Sequence, residues 1–165
     1  MKTKTYVITG ATSGIGKALV EVLSKENIVF AGYRSEQKGT ELAKFSKNIY
    51  PFYVDYAKPE TVKNAVDYIK SKCEKVDTLI NIAGCVVAGP VEKLSMDEVR
   101  RQFDVNVFGH IEIMQGLVEK LEKQEKLIRT HGGAVPLDEN KPIAEQLKSH
   151  EFGAELDLNK NLVIF

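Results

Sequence analysis

The sequence has little of what marks a secreted, metal-bound or membrane-inserted chain. Its two cysteines, Cys73 and Cys85, lack metal-ligand spacing and are too few for a disulfide framework, so they read as small, half-buried residues. Charge of one sign is missing as well: 23 basic residues face 23 acidic ones with no strongly basic block. That balance gives no electrostatic reason for a nucleic-acid or acidic-membrane partner. No hydrophobic secretory segment and no membrane-spanning run occurs, and a reducing, cytoplasmic setting is therefore the expectation. Internal repeats and low-complexity segments are absent. The 165 residues suffice for one domain with a substantial core, and residues 1–165 are expected to form one.

What is present begins with Thr9-Gly10-Ala11-Thr12-Ser13-Gly14-Ile15-Gly16, set between the apolar run Tyr6-Val7-Ile8 and a helix-like run from Lys17. A strand that ends in a glycine turn and re-enters as a helix aims several unpaired backbone N–H groups at one place, where the helix dipole adds partial positive charge. A pyrophosphate fits there. Gly10 lets the chain leave the strand sharply, Gly14 lets a phosphate approach the backbone, and Gly16 allows close packing of helix on sheet.

Apolar β-type runs then alternate with helical stretches. Strands are expected at residues 6–8, 28–31, 50–54 and 78–81, and helices at 17–25, 37–45 and from Pro59 to about Cys73. Pro59 suits a first helical turn, where its missing N–H loses nothing. The order implies an α/β fold, a parallel sheet with helices on both faces. Ser95, with Glu98 three positions on, opens a longer helix. Along it Phe103, Val107, Ile111, Met114, Val118 and Leu121 recur at spacings of three and four, which predicts the core-facing stripe. The charged run at 119–126 reads as that helix's solvated end.

Past His131 the character changes. Gly132-Gly133, Pro136 and Pro142 mark breaks, a short helix is expected over residues 143–151 with Gly153 placed to stop it, and Leu162-Val163-Ile164-Phe165 looks like a buried strand. Because no connection follows that strand, truncation after about the fifth strand is expected, with residues 127–161 irregular.

The glycine loop, together with Asn81-Ile82-Ala83-Gly84 and Asn106-Val107-Phe108-Gly109, resembles the short-chain dehydrogenase/reductase family. The family carries Thr-Gly-x-x-x-Gly-x-Gly after its first strand, Asn-Asn-Ala-Gly after its fourth, and Asn-x-x-Gly in the next helix. The likeness spans Lys4 to about Gln124, with Ile82 standing where the family usually has a second Asn. It implies a Rossmann-like doubly wound sheet, an oxidoreductase acting on an alcohol or carbonyl group, and a dinucleotide held by Gly10, Thr12, Ser13, Gly14, Ile15, Gly16, Asn81, Ile82, Ala83 and Gly84. It also implies that Asp55 bonds the adenine amino group, with Tyr56 contributing its backbone. A carboxylate at the end of the second strand would repel a 2′-phosphate, but Tyr33 stands there, followed by Arg34, whose guanidinium can hold a phosphate. NADP(H) is therefore expected over NAD(H), even with Glu36 close by.

In the family, a tyrosine exchanges the substrate proton, a lysine four residues on favours its phenolate, a serine orients the substrate oxygen, and an Asn holds a water linking the lysine to solvent. Asn106 matches that Asn. No tyrosine follows Tyr68, and Tyr68-Ile69-Lys70-Ser71-Lys72 precedes the Asn81 motif, so its Tyr-x-x-x-Lys match reads as coincidence. His131-Gly132-Gly133 has no nucleophile turn to go with it, His150 has no second zinc-type histidine, and His110 reads as a packing or surface residue. No metal site is expected. The alternative to an enzyme is a non-catalytic dinucleotide-binding protein, degenerate, truncated or recombinant. A third reading is a subunit whose open sheet edge is completed by a second copy or another chain. The substrate is left open.

Overall fold

In the computed structural model, residues 3–121 are described in full, and beyond them only the backbone of three short strands. The alternation is realised. Strands β1 (Thr5–Thr9), β2 (Ile28–Tyr33), β3 (Ile49–Tyr53) and β4 (Thr78–Asn81) are joined through helices α1 (Gly14–Leu23), α2 (Glu36–Leu42) and α3 (Pro59–Lys72). Helices α4 (Met96–Phe103) and α5 (Gly109–Leu121) follow, linked without a break by a wider π turn, Asp104–Phe108. Hairpin β5 (Ile128–Thr130) and β6 (Gly133–Val135) is antiparallel, while β7 (Leu162–Ile164) pairs in parallel with β4, taking the fifth position expected of it. Phe165, residues 143–151 and His131 and His150 lie outside the described residues.

The sheet order is β3-β2-β1-β4-β7, every pair parallel. Pro51 sits in β3, which among the described residues is an edge strand pairing only with β2, where a missing N–H is tolerated. Alternate residues of each strand serve opposite faces. Val7, Phe30, Phe52 and Leu79 pack with Val62, Val66 and Ile69 of α3 and Ile113 and Leu117 of α5; Ile8, Val29, Ala31 and Ile80 pack with Val20 of α1 and Leu42 of α2. Burial of each large aliphatic side chain contributes about 1.5–3 kcal/mol.

Two expectations need correction. Helix α1 starts at Gly14 rather than Lys17, so the last glycines of the loop are already its first turn. The apolar stripe assigned to the core of the long helix is largely the wrong one: Phe103, Val107, Ile111 and Val118 are exposed, and only Met114 and Leu121 pack partly inward. The buried line is Val105, Gly109, Ile113 and Leu117, at a strict spacing of four with His110 beside it. A helix with two apolar stripes leaves the sheet to choose, and the π turn alters the phase between α4 and α5. The capping box is as expected: Glu98 N–H donates to Ser95 Oγ at 3.3 Å and Ser95 N–H to Glu98 Oε2 at 3.0 Å. The Ser95 hydroxyl also donates to Glu98 Oε2 at 2.7 Å, and this bond, with that from Ser95 N–H, lowers the Glu98 pKa.

The strand order reverses between β1 and β4, which leads away in opposite directions and opens a crevice at their carboxyl ends. Register pairs Thr9 with Asn81, so the loops leaving the two strands stand side by side.

Candidate functional site: a groove between two loops

The first loop is shaped by backbone. Gly10 has φ +67°, and a Cβ on it would lie 2.7 Å from the Ala83 nitrogen, so the two loops touch only because Gly10 has no side chain. Gly14 has φ +49° with open space around its missing Cβ, which leaves its face to the groove. A side chain on Gly16 would collide with the Gly10 carbonyl oxygen, so Gly16 packs helix start against loop rather than lining anything. Ser13 caps α1 in extended conformation without a side-chain bond, and the first-turn N–H groups have no acceptor within the helix. Ile15 projects into solvent at the rim.

The second loop, residues 81–84, is held by side chains from other elements. Thr9 is fully buried, and its Oγ1 accepts from Ile82 N–H at 3.2 Å and Ala83 N–H at 3.3 Å. His110 Nε2 lies 2.8 Å from the Ala83 carbonyl oxygen, a bond that requires the proton on Nε2. Asn106 uses both ends of its amide on Cys85, accepting from its N–H at 2.9 Å and donating to its carbonyl at 2.8 Å. Next along, Val87 N–H donates to Gln102 Oε1 at 2.6 Å. Beneath the loop lies Tyr56, whose hydroxyl donates to Asn81 Oδ1 at 3.4 Å and whose ring meets that of His110 edge-on, centroids 4.9 Å apart. Burial pushes the Tyr56 phenol pKa far up, opposed in part by a hydrogen bond with Thr9. Burial likewise lowers the His110 pKa, against the opposing pull of the Ala83 carbonyl.

At the far end of the groove, Thr61 Oγ1 anchors the Asp55 backbone, accepting from its N–H at 2.9 Å. Asp55 Oδ1 accepts from Ala57 N–H at 3.1 Å. Arg34 is exposed and makes no ion pair among the described residues, and the nearby Glu36 receives the Tyr33 hydroxyl at 3.2 Å. Glu36, two residues on from Arg34, is thus engaged by Tyr33.

Gly10, Thr12, Ser13, Gly14, Ile15, Arg34, Asp55, Tyr56, Ile82, Ala83 and Gly84 line one open groove of about 440 Å³, with Gly32, Val54 and Val105 completing it. Gly16, Asn81 and Asn106 do not line it; they support it from behind. Sequence reasoning missed Thr9 and His110 as supports. Thr9 carried a signal, since it closes the strand directly before the glycines. Tyr68 lies on α3 against Phe30, ring centroids 6.4 Å apart, and is not among the groove's lining residues. Among the described residues no cluster of acidic, cysteine and histidine side chains could hold a metal, and no helix is long and apolar enough to cross a membrane.

A family model, short chain dehydrogenase, matches residues 4–129. The chain belongs to that family. Short-chain dehydrogenases among the curated relatives include the 3-ketodihydrosphingosine reductase of Bacteroides thetaiotaomicron, 29% identical over 126 residues, which are 76% of this chain and 45% of the relative. The NADPH-dependent 3-dehydrocapnine reductase of Ornithobacterium rhinotracheale is 32% identical over 116 residues, 68% of this chain and 41% of the relative. Among solved structures, a short-chain dehydrogenase/reductase mutant from Serratia marcescens superposes with a TM-score of 0.67 at 26% identity, over 72% of this chain and 51% of that one. A blue fluorescent protein from a metagenomic library in complex with NADPH gives 0.65 at 26% identity, over 70% of this chain and 50% of that one. The chain spans less than half the length of these two curated relatives.

The groove's chemistry fits the family's dinucleotide. It offers unpaired N–H groups at a helix start, a glycine face open to a phosphate, and a cation with no ion-pair partner among the described residues.

Proposed function

We propose that this chain is the cofactor-holding part of an NADP(H)-dependent short-chain oxidoreductase acting on an alcohol or carbonyl group. The observation that carries the proposal is Arg34 in the groove wall without an ion-pair partner among the described residues, while Glu36 is engaged by Tyr33. An Arg there holds a 2′-phosphate through paired charge-assisted bonds; a free carboxylate would repel it. The NADPH named for one relative and for one solved neighbour supports the same reading.

In this reading the backbone of Ser13, Gly14 and Ile15 takes the pyrophosphate at the start of α1, where dipole and unpaired donors coincide. Asp55 receives the adenine amino group on Oδ2, since Oδ1 already accepts from Ala57. Residues 81–84 form the wall beside the nicotinamide half. When bound, the cofactor supplies or accepts a hydride at its nicotinamide ring. Asn106 is the residue of this sequence proposed for the proton path. Its side chain already serves the site by clamping Cys85, which fixes the loop's exit.

The relatives are named as reductases, which favours the enzyme over the non-catalytic binder. The test is a paired titration of NADPH and NADH against the wild type and Arg34→Ala. NADPH affinity should fall by about tenfold or more, as for loss of a charge-assisted pair, with NADH nearly unchanged. Equal losses for both dinucleotides would remove Arg34 from the 2′-phosphate role.

A further inference from the structure

We propose that His110 is a positioning residue of the groove: by donating Nε2–H to the Ala83 carbonyl it fixes the height of the 81–84 loop and so sets affinity for the nicotinamide half of the dinucleotide. The inference rests on the proposed NADP(H) site.

Three elements grip this loop, each by a different group. Thr9 of β1 accepts from the N–H groups of Ile82 and Ala83, and Asn106 of the π turn pairs with both backbone groups of Cys85. That leaves the outward pull on Ala83, which His110 of α5 supplies at 2.8 Å. Without it the peptide between Ala83 and Gly84 keeps no hydrogen bond among the described residues, while the peptides on either side of it are held by Thr9 and Asn106. Ala83 and Gly84 both face the groove, so any rotation of that peptide moves the groove wall.

His110 is itself locked. It is 6% exposed, its ring lies edge-on to Tyr56, and the preceding Gly109 lacks a Cβ at the place the Tyr56 ring occupies. Tyr56 in turn lines the groove and reaches Asn81. The imidazole therefore has one orientation, and the Ala83 carbonyl fixes its tautomer: the proton is on Nε2 and Nδ1 is a bare acceptor. Among the described residues, His110 Nδ1 and Asn81 Nδ2 are buried side-chain atoms without a partner, an acceptor and a donor on the two residues that meet Tyr56 at its ring and its hydroxyl. A purely packing residue at position 110 would not carry that unpaired nitrogen, because an apolar side chain of similar size avoids it. The single bond to Ala83 is what the histidine adds.

The test uses the full chain as wild type, His110→Phe and His110→Gln. Glutamine keeps a donor at the reach of Nε2; phenylalanine keeps the ring and removes it. Binding of NADPH and of adenosine 2′,5′-bisphosphate, which occupies only the adenosine end, is measured for each, with nitrogen-15 NMR to read the wild-type tautomer. The expected result is an Nε2–H tautomer, NADPH affinity lowered about tenfold in His110→Phe with the bisphosphate unchanged, and recovery to within about threefold in His110→Gln. A loss shared equally by both ligands, or an Nδ1–H tautomer, overturns the proposal. Should His110→Phe fail to fold, the tautomer and the near-normal NADPH affinity of His110→Gln decide it. Failure of the wild type to bind NADPH while binding neither ligand strikes the proposed function instead, and the tautomer still tests the bond.

Discussion

The two loops that face each other across the groove are made in opposite ways. The loop after β1 owes its shape to what it omits: Gly10 and Gly14 take backbone angles that side chains rarely adopt, and Gly16 leaves room for the Gly10 carbonyl. The loop after β4 contains one glycine in its signature, with an ordinary backbone, and is shaped by side chains borrowed from β1, the π turn and α5. One loop carries its own instructions; the other is instructed by residues up to 74 positions away in sequence. Substitutions should therefore fail by strain in the first loop and by lost hydrogen bonds in the second.

The largest effect is expected in the first loop. Gly10→Val places a β-branched side chain at φ +67° against the Ala83 nitrogen and should destabilise the fold by more than about 3 kcal/mol while abolishing NADPH binding, read by thermal melting and titration. Gly10→Val with near-normal stability would mean that the two loops do not touch as described.

Next comes Thr9→Val, which keeps the shape and deletes the acceptor shared by Ile82 and Ala83. Leaving two half-buried N–H groups unpaired should cost about 1–2 kcal/mol by denaturant unfolding, with amide exchange rising in the second loop and not in the first. Uniform exchange through both loops would break the contrast. Asn106→Leu removes the Cys85 clamp, whose side chain is exposed to water, so a smaller loss of about 1 kcal/mol is expected.

This contrast also governs what the sequence could tell. Strands β1 to β4 and helices α1 to α3 follow from apolar runs and their punctuation, and the glycine loop follows because its determinants are local. The stripe on α4 and α5 was misassigned because Phe103, Val107, Ile111 and Val118 satisfy helical spacing as well as the buried line does, and that line runs through a glycine and lies next to a histidine. His110 read as a packing or surface residue because its partner, the Ala83 carbonyl, has no side-chain identity to read. Arg34, by contrast, stood out by position, and the structure adds that Glu36 is engaged elsewhere.

The smallest expected effect is one of pH. Burial lowers the His110 pKa below its ordinary 6.5, so the native state favours the neutral ring. Its stabilising contribution is complete above about pH 6.5 and is lost as pH falls through the lowered native value, where the unfolded chain binds the proton first. Melting curves between pH 7.5 and about 5 should show a decline in the wild type that His110→Gln lacks. Parallel declines in both proteins would assign the pH dependence to other groups.

The most direct measurement is fluorescence titration of the unmodified chain with NADPH and with NADH. The account predicts saturable NADPH binding, about tenfold or more tighter than NADH, as one charge-assisted phosphate pair provides. Absence of binding by either dinucleotide, from a chain that is folded by circular dichroism, would contradict it.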